Sequence, residues 1–390
     1  MVTTGFKVGP NSGQDLGSRY ITKEYVIENY PYILPSRITP GIWAWGNNTD
    51  GVLGVNEIAN KSSPVQIGSL NTWRVVSKSQ THTLATKTDN TLWAWGNNSA
   101  GQLGLGDITH RSSPVQVGSM SNWRVVSSSS SVSFAIKTDN TLWAWGHGIF
   151  GLGNPSNTGS SPVQIGSLTN WRQISTNGGT VLAIKTDGTL WGWGINSTGQ
   201  LGLSNVSTQL SPVQIGTNAW KTASTNDNTS VAIKTDGTLW AWGSNSSGQL
   251  GLSDLVHRSS PVQIGLLTSW EKVISGGTTV AAIKTDGTLW AWGSNSSGQL
   301  GLSDLVHRSS PVQIGSMTIW KTVVVGAGNM LVMGTNSTIW ACGDNTYGQL
   351  GQTDTNSRSS LIQIGGDTTW VMISMDSGGQ GIIAIKDGIL

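Results

Sequence analysis

A Trp-Ala-Trp-Gly motif that returns every 48–50 residues constrains the fold of this 390-residue chain more than any other feature. The copies begin at Trp43, Trp93, Trp143, Trp191, Trp240, Trp290 and Trp340. Gly192 replaces the Ala in the fourth copy, and Cys342 replaces the second Trp in the seventh. A fixed period in this range is typical of repeat architectures, in which one supersecondary unit cannot bury its apolar face alone. The chain is therefore expected to fold by stacking seven similar units.

Two strands of each unit form a hairpin. In one copy Val280–Lys284 is an apolar strand, Asp286–Gly287 is a two-residue turn, and Leu289–Gly293 is the return strand. Asp-Gly between apolar runs predicts a hairpin in which both turn residues take a positive φ. Period-2 alternation places both Trp side chains of the return strand on one face and the small residue between them on the other. The sequence thus predicts sheets with one large and one small face.

Two further strands complete the unit. The segment Ser310–Gly315 begins with Ser-Pro, and proline on a sheet edge removes no ladder hydrogen bond, so this strand is predicted on the outside. The segment Trp320–Val325 begins with a lone Trp, and runs of small residues such as Ser127–Ser131 suit strands crowded around an axis. Lone Trp residues recur at Trp73, Trp123, Trp171, Trp220, Trp270, Trp320 and Trp370. Four strands per repeat describe one blade of a β-propeller.

The two ends of the repeat region complete each other. Residues 383–390 form a strand and turn without a following Trp strand, and Ile42–Gly46 is a Trp strand without a preceding partner. We expect residues 42–46 to pair with residues 381–386, which closes the ring through a split blade and removes exposed sheet edges. The predicted fold is an all-β, seven-bladed β-propeller over residues 41–390.

Residues 1–40 lie outside the repeat and are predicted to form a mostly irregular N-terminal arm. A short helix is expected over residues 22–30, because Thr22 fits an N-cap and Pro31 ends the helix. Four tyrosines of the arm are the predicted attachment residues, namely Tyr20, Tyr25, Tyr30 and Tyr32. The arm could also hold copies of the chain together in an oligomer.

Charge is scarce and balanced along the chain. Charged residues make up 11% of the sequence and the formal net charge is +2. Nucleic-acid or anionic-membrane partners require clustered Lys and Arg, so neither is expected. No apolar run approaches the roughly 18 residues of a membrane span, and no charged leader precedes an apolar segment. The sequence therefore predicts no signal peptide, no membrane insertion, and a location in the cytoplasm or in an assembled virion.

Residues capable of chemistry are dispersed among the repeats. His110, His257 and His307 occupy equivalent loop positions in separate units, too far apart for a shared metal, and His82 is expected to pack within a strand. The turn Asp residues are explained by turn chemistry and are too sparse for calcium loops. The Gly-Gln-Leu-Gly loops lack the Lys-Ser/Thr ending of a phosphate cradle. Cys342, the single cysteine, is predicted to be buried and unreactive. No catalytic residue, metal or cofactor is predicted, and the protein is not expected to be an enzyme.

The loops differ most in the third unit. There His147-Gly-Ile149-Phe150 replaces the usual Asn/Ser run, and His147, Ile149 and Phe150 are the predicted partner contacts. The alternative is that the Ile-Phe pair packs into a neighbouring blade. By contrast, residues 232–265 and 282–315 are identical over 34 residues, which argues against a unique catalytic residue in those two units.

The unit Leu-Trp-Ala-Trp-Gly-x-Asn-x-x-Gly-Gln-Leu-Gly-Leu, with Ser-Pro-Val-Gln-Ile and Ala-Ile-Lys-Thr-Asp-Gly, resembles the repeat of the regulator-of-chromosome-condensation family over residues 41–390. The kelch repeat has a similar period, but its periodic di-glycine is absent. The resemblance implies a seven-bladed propeller with a loop-built binding face. The founding member looks like an exchange factor for a small GTPase, and a bacterial relative looks like a β-lactamase inhibitor. Units of uniform length leave no insertion for the founder's projecting wedge, and its basic tail has no counterpart, so no functional residue is carried over.

Residues 10–32 look like N-terminal segments of tailed-phage structural proteins, through Gln14–Tyr25 and the proline-rich stretch that follows. This resemblance implies an arm that attaches to a particle. The leading hypothesis is accordingly a non-enzymatic virion component of the tail, fibre or capsid surface, whose propeller meets another virion subunit or a host receptor. The alternative is a soluble protein-interaction or regulatory propeller, including a small-GTPase regulator. A third hypothesis, a polysaccharide lyase or hydrolase, requires clustered acid and base residues that the sequence lacks.

Overall fold

The computed structural model describes residues 40–69, 72–148 and 150–387, and these residues form seven four-stranded antiparallel sheets. Each sheet is one blade, and we number the blades by the chain order of their Trp-x-Trp strands. Within the described residues there is no α-helix, and a single 3-10 turn spans Thr49–Gly51. The all-β, seven-bladed propeller predicted from the repeat is thereby confirmed. The N-terminal arm, with its predicted helix over 22–30 and its tyrosines, lies outside the described residues.

The four strands of a blade have fixed positions from the axis to the rim. The innermost strands are β3 (Trp73–Lys78), β7 (Trp123–Ser128), β11 (Trp171–Asn177), β15 (Trp220–Thr225), β19 (Trp270–Gly276), β23 (Trp320–Val325) and β27 (Trp370–Met375). The second strands are β4 (His82–Lys87), β8 (Val132–Lys137), β12 (Thr180–Lys185), β16 (Thr229–Lys234), β20 (Thr279–Lys284), β24 (Asn329–Gly334) and β28 (Gly381–Lys386). The third strands, which carry the Trp-x-Trp motif, are β1 (Gly41–Gly46), β5 (Leu92–Gly96), β9 (Leu142–Gly148), β13 (Leu190–Gly194), β17 (Leu239–Gly243), β21 (Leu289–Gly293) and β25 (Ile339–Gly343). The outermost strands are β2 (Lys61–Gln66), β6 (Arg111–Gln116), β10 (Asn157–Gln164), β14 (Gln209–Gln214), β18 (Arg258–Gln263), β22 (Arg308–Gln313) and β26 (Arg358–Gln363).

Blade 1 closes the ring. Its sheet runs β2-β1-β28-β27, so the two ends of the repeat region share one blade. Strand β1 pairs with β28 in antiparallel register, with Ile42 opposite Ile385 and Gly46 opposite Gly381, as predicted. The ring of Trp370 lies 6.1 Å from the ring of Trp45, so aromatic packing also joins the two halves. The predicted split-blade closure is confirmed.

The hairpin turns between second and third strands depart from the prediction. Only one residue of each turn has a positive φ, for example Asn90 at 63° and Gly287 at 78°, whereas the preceding Asp does not. The Asn90 N–H donates to the Lys87 carbonyl at 2.9 Å, so an ordinary turn precedes the left-handed residue. Asp89 Oδ1 accepts from the Thr91 hydroxyl at 2.7 Å. The prediction of positive φ at both residues was wrong, because the loop is longer than the two-residue hairpin turn that requires it.

The hydrophobic core is divided among the junctions between blades. In six of the third strands two Trp side chains face the preceding blade, where they meet the small residue of that blade's own third strand; in β25, Trp340 and Cys342 take these positions. At one such junction Trp145 and Trp143 pack with Ala94 and Leu84. Seven clusters of this kind occur among the described residues, one for each junction of the ring. The predicted alternation of large and small faces is what allows the blades to stack.

Hydrogen bonds from the second Trp of the motif reinforce these junctions. The Trp145 indole N–H donates to the backbone carbonyl of Gln102 in the long loop of the preceding blade, at 2.9 Å. The same bond joins Trp45 to Gln349, Trp95 to Val52, Trp242 to Gln200 and Trp292 to Gln249, at 2.8–3.0 Å. Gly104 follows this loop carbonyl by two residues, and a Cβ there would lie 2.8 Å from Trp145 Nε1. The glycine is therefore needed for the indole to approach.

The same loops make a second bond across every junction. Two residues after that glycine, a backbone N–H donates to a carbonyl near the start of the next blade's outermost strand. These bonds join Asn56 to Ser112, Gly106 to Ser160, Gly153 to Leu210, Ser204 to Ser259, Ser253 to Ser309, Ser303 to Ser359 and Thr353 to Ser62, at 2.7–3.0 Å. Each outer strand is thus held by its neighbour's loop as well as by its own sheet.

Blade 7 keeps the junction without its second Trp. Cys342 is fully buried, as predicted, and burial raises the pKa of its thiol, so the reactive thiolate is disfavoured. Its Sγ lies 3.5 Å from the Gln299 carbonyl, in the place of the indole N–H. Leu361, which stands where the outer strands of the other six blades have proline, packs against the same cluster. A leucine and a cysteine together fill the space that a tryptophan beside a proline occupies elsewhere.

A buried ion pair joins blades 1 and 2 at the axis. The Lys78 ammonium lies 2.8 Å from Asp376 Oδ2, and both side chains are 1% exposed. The carboxylate also accepts the backbone N–H of Gly381 at 2.8 Å, and the ammonium donates to the Ser79 carbonyl at 3.0 Å. Serine hydroxyls such as Ser77 and Ser127 line the adjoining central space of about 140 Å³. The pair therefore fastens the C-terminal half of the split blade to the first complete blade.

Substituting Gly251 by Ala is expected to destabilise the fold by more than the backbone strain of a left-handed residue accounts for, because the added Cβ also meets Trp292. Gly251 (φ 69°) and Gly265 (φ 60°) lie in the same blade with similar dihedral angles. A Cβ at Gly251 would lie 2.8 Å from Trp292 Nε1, whereas nothing lies within 4 Å of one at Gly265. Gly265→Ala should lower the free energy of unfolding by about 1 kcal/mol, and Gly251→Ala by about 3 kcal/mol, in urea titrations followed by Trp fluorescence. Equal losses would show that the indole bond does not depend on this glycine.

Removing the Asp376 carboxylate should strongly destabilise the ring, because it leaves the Lys78 ammonium buried and unpaired. We expect Asp376→Ala to lower the free energy of unfolding by about 3–5 kcal/mol. The control is Lys221→Ala, which breaks the Lys221–Glu271 pair between blades 5 and 6, whose side chains are 40% and 39% exposed. That change should cost less than about 1 kcal/mol. Similar losses in the two variants would contradict a special role for the buried pair.

Candidate protein-interaction surface

The two faces of the ring are built differently. The loop face carries the long loops between third and outermost strands, together with the connections between innermost and second strands. The turn face carries the hairpin turns and the connections from each outermost strand to the next blade. Each face therefore offers a different set of side chains to a partner.

A buried asparagine organises the long loop in every blade except blade 3. Asn245 Nδ2 donates to the Asp254 carbonyl at 2.9 Å, and Asn245 Oδ1 accepts the Leu250 N–H at 2.9 Å. The equivalent residues are all fully buried: Asn48, Asn98, Asn196, Asn245, Asn295 and Asn345. The sequence analysis missed this role, although the asparagine follows the first Trp of the motif by five residues in six copies. The long loops are consequently ordered by their own side chains.

The tip of the long loop is fixed by a second set of bonds in four blades, around Asp107, Asp254, Asp304 and Asp354. Asp254 Oδ1 accepts the Val256 N–H at 2.9 Å, and Asp254 Oδ2 lies 2.6 Å from Arg258 Nη2. The hydrogen bond from Val256 and the neighbouring Arg258 hold the pKa of Asp254 below its usual range. His257 Nδ1 accepts the Asn245 N–H at 2.8 Å, so this histidine is a structural acceptor. The polar groups point inward, and the side chains between them are left at the surface.

Aliphatic side chains occupy the exposed tip position in five blades. They are Ile58, Ile108, Val206, Leu255 and Leu305, and each is about 60–70% exposed. In blades 5 and 6 the next residues, Val256 and Val306, are each 60% exposed as well. Blade 7 has Thr355 at this position and blade 3 has a shorter loop. Exposed aliphatic side chains on well-ordered loops are typical of protein-binding surfaces.

The predicted contact residues of blade 3 are separated by the structure. His147 is exposed and extends strand β9, where its N–H donates to the Ser131 carbonyl at 2.8 Å. Phe150 is 2% exposed and packs in the core between blades 3 and 4 with Trp193 and Ile165. Phe150 therefore cannot serve as a surface anchor, and the packed alternative is correct for it. Ile149 lies outside the described residues. Alignment of Gly151 with Gly104 would have shown that Phe150 takes the place of Leu103.

The remaining histidines do not form a reactive site. His82 is fully buried, with Nε2 2.7 Å from Ser133 Oγ and Nδ1 2.9 Å from Ser79 Oγ. Burial, helped by the charge of Lys78, lowers the pKa of His82 to about 3, so the ring is neutral. The expectation of a packed histidine is confirmed. His110 lies 3.9 Å from Asp50 at the surface. Among the described residues, no group of three or more His, Cys, Asp or Glu side chains is placed to hold a metal ion.

On the turn face, most charged side chains contact neighbouring side chains of the same blade. Lys137 Nζ lies 3.6 Å from the centre of the Trp143 ring, and desolvation lowers the pKa of this lysine. The Trp143 indole N–H donates to the Thr141 hydroxyl, which in turn donates to Asp139. Hydrogen bonds from Thr141 hold the pKa of Asp139 below its usual range. Closely similar arrangements occur in blades 2, 4, 5 and 6. The sequence analysis explained the turn Asp but missed the Thr and Lys.

Comparison with family profiles identifies the repeat. A profile described as the regulator of chromosome condensation (RCC1) repeat matches residues 41–86, 89–136, 187–233, 236–283 and 286–333. A second profile with the same description matches residues 171–200, 220–249 and 272–299. The first profile alone covers more than half of the chain. No protein of curated function matches the sequence.

Solved structures share the whole fold at low sequence identity. Yeast RCC1 (Prp20), solved bound to Kap60, has a TM-score of 0.81 and 18% identity, with 100% of this chain and 97% of that chain covered. Prp20p from Saccharomyces cerevisiae, described with its binding to Gsp1p and histones, has a TM-score of 0.81, 18% identity and coverage of 93% and 95%. Human WBSCR16 has a TM-score of 0.80, 17% identity and coverage of 90% and 100%. None of these matches supports the predicted phage resemblance of residues 10–32. In the described part of the chain, no helix has the length and apolarity to cross a membrane.

The buried His82 should make stability depend on pH from about 6.5 downward, a range that begins above the pH at which carboxylates titrate. Its pKa is about 3 in the folded chain against 6.5 when exposed, so the unfolded chain binds a proton at a higher pH. The stability contributed by neutral His82 is thus present above pH 6.5 and is lost as the pH falls toward 3. By pH 4 the loss should reach about 3 kcal/mol.

The control is His82→Thr, because Thr180, Thr229 and Thr279 occupy the same strand position in other blades. Urea unfolding at a series of pH values should show a steep decline for the natural chain and a shallower one for the variant. Parallel curves between pH 6.5 and 4 would contradict a neutral buried histidine.

Proposed function

The chain belongs to the family of RCC1 repeat proteins, and we propose that it is a non-enzymatic propeller that binds a protein partner through its loop face. The observation that carries this proposal is the row of exposed aliphatic tips, such as Leu255 and Leu305, on loops that buried asparagines hold in place. Preorganised aliphatic groups lose little conformational freedom on binding, which favours a stable interface. The turn face also exposes aliphatic residues, but its Lys and Trp side chains are engaged with one another.

Several observations favour binding over catalysis. His82 is buried and neutral, while His257 and His307 accept backbone N–H groups at 2.8 Å in separate loops. The turn carboxylates are held by neighbouring threonines, as Asp139 is by Thr141. General acid–base chemistry requires such groups to converge on one substrate position, and these residues lie in different blades.

The partner class that the family suggests is a small GTPase. Prp20p, which shares this fold, is described by its binding to Gsp1p and histones, and yeast RCC1 is described as bound by Kap60. Gsp1p, histones and Kap60 are partners of yeast RCC1 (Prp20), and it is the yeast protein that is 18% identical to this chain. The common element is a propeller that binds other proteins. We therefore place GTPase regulation within the proposed function as its most specific version, and the virion hypothesis is not retained.

Capture experiments test the binding face. Immobilised full-length protein should retain a partner from lysate of its source, and the double variant Leu255→Asp/Leu305→Asp should lose it. The matched control is Leu266→Asp on the turn face, where the side chain is 90% exposed and the same charge should leave capture unchanged. The captured protein, once purified, should bind the natural chain in calorimetry with the same order of variants. Equal capture by all three proteins would remove the loop face as the binding site.

Nucleotide-release assays test the more specific version. Purified small GTPases loaded with fluorescent GDP are mixed with the full-length protein, and release is followed over time. Accelerated release that the Leu255→Asp/Leu305→Asp variant abolishes would support GTPase regulation. Unchanged release across a panel would remove that version while leaving a protein-binding propeller in place.

A further inference from the structure

We propose that the turn face carries a second binding surface, an arc of arginines near the axis that binds the carboxylates of an acidic protein segment. The arc consists of Arg74, Arg124 and Arg172, the second residues of the innermost strands β3, β7 and β11. These strands begin at the turn face, where each receives the connection from an outermost strand. The inference goes beyond the proposed function, which concerns the loop face.

Hydrogen bonds place these side chains next to one another. Arg74 Nη2 donates to the Trp123 carbonyl at 2.9 Å and to the Arg124 carbonyl at 3.3 Å. Arg124 Nη2 in turn donates to the carbonyl of Trp171, the residue before Arg172, at 3.2 Å. Each guanidinium therefore lies across a junction, on the start of the next blade's innermost strand. The three side chains form a continuous row that begins in blades 2, 3 and 4.

The two outer arginines of the arc are held in the same way, and each keeps one donor for a ligand. Arg172 Nη2 donates to the carbonyls of Trp220 and Lys221, at 3.1 and 3.0 Å, as Arg74 Nη2 does to the carbonyls of the next blade. The Nε atoms of Arg74 and Arg172 are buried. Their Nη1 atoms make no hydrogen bond with the described residues and are not enclosed. Nη1 is thus the group that each side chain presents, and its orientation is set before a ligand binds.

No ion pair neutralises the outer arginines of the arc. In the described part of the chain, Arg74 and Arg172 bond only to backbone carbonyls, whereas the next cation around the ring, Lys221, is paired with Glu271. Burial and the neighbouring charge of Arg124 lower the pKa of Arg74. Carbonyls orient a guanidinium but carry no net charge. An anion from outside would therefore relieve the repulsion between neighbouring arginines and form charge-assisted hydrogen bonds with them.

The arrangement favours separate carboxylates over other anions. The outer arginines start in blades 2 and 4 and present one nitrogen each, so a ligand that meets both needs more than one anionic group. Carboxylates of the hairpin turns border the arc: Asp89 partly opposes the lowered pKa of Arg74, and Asp139 precedes Asn140, which accepts a hydrogen bond from Arg124. A continuous polyanion such as nucleic acid would bring phosphates past these carboxylates, and like charges repel. Acidic side chains spaced along a peptide can meet the arginines alone.

Model ligands test this chemistry with the full-length protein. Two fluorescein-labelled peptides of equal length carry glutamate or glutamine at alternate positions among glycine and serine. We expect the glutamate peptide to bind more tightly in fluorescence anisotropy and to weaken as salt is added. The competing anions are a labelled oligothymidine of the same net charge and inorganic phosphate at matched ionic strength. Tighter binding of the oligonucleotide, displacement of the peptide by phosphate, or equal binding of the two peptides would overturn the inference.

Matched variants locate the site by removing charge from one face at a time. Arg74→Gln/Arg172→Gln should weaken binding of the glutamate peptide about tenfold. An uncharged residue is accepted at this strand position, since Val371 occupies it in blade 1. The control Arg258→Gln/Arg308→Gln removes the same charge from the loop face and should bind like the natural chain. Equal losses in the two variants would mean that net charge alone attracts the peptide, and the arc would be wrong.

A variant that gains binding covers the case in which the arginine variant fails to fold. Glu271→Gln releases the Lys221 ammonium at the end of the arc and should tighten binding of the glutamate peptide about twofold. Glu57→Gln on the loop face releases Lys61 in the same way and should have no effect. Unchanged binding in Glu271→Gln, or an equal gain in Glu57→Gln, would contradict an arc on the turn face.

These outcomes are separate from those of the proposed function. Leu255→Asp/Leu305→Asp, which should abolish capture through the loop face, should leave binding of the glutamate peptide unchanged. If that variant loses the peptide while Arg74→Gln/Arg172→Gln keeps it, the arc is wrong and the loop face stands. If the peptide effects hold but no protein is captured through the loop face, the arc stands and the proposed function fails.

Discussion

The hydrogen bond from the second Trp to a carbonyl of the preceding blade, which five of the seven motifs make, is the constraint on which most of the ring depends. It couples three requirements: an indole at the end of a strand, a loop that brings its carbonyl across the junction, and a glycine that leaves room for the ring. In the bond from Trp145 to Gln102, Gly104 meets the last of these. A buried indole N–H without a partner costs free energy, so the three elements occur together where the loop has its full length. Beside the short loop of blade 3, the Trp193 indole N–H is buried without a hydrogen-bond partner.

The same loop that fastens the ring also presents the binding surface, but with different residues. Its first half is fixed by the fold, because Asn245 and the carbonyl of Gln249 are needed to order the loop and to accept Trp292. Its second half ends in Leu255 and Val256, whose side chains are exposed and do not pack in the core between the blades. Changes in that half are therefore open to selection by a partner. At the junction of blades 6 and 7 the loop keeps the sequence of the blade 5 loop, and only the group that meets its carbonyl differs, because Cys342 replaces the indole.

The sequence was sufficient for the architecture because the architecture follows from period and alternation. Seven equally spaced copies, four strand signals in each and two complementary ends lead to a closed propeller, with Ile42 opposite Ile385. The turns were mispredicted at Asp89, since an Asp-Asn or Asp-Gly pair is compatible with more than one hairpin geometry. Phe150 was misplaced because loop length, which differs only in blade 3, decides whether a residue meets the core or solvent. The arm remains a prediction.

Specific recognition by this ring has to come from its departures from the repeat. Seven nearly equivalent blades offer a partner seven nearly equivalent orientations, and identical tips such as Leu255 and Leu305 cannot distinguish them. Orientation is instead set by positions that occur once. The short loop of blade 3 and the polar Thr355 in blade 7 bound the aliphatic tips of blades 4, 5 and 6 on both sides. A partner that matches the tips gains affinity from the repeated residues and a single register from the unrepeated ones.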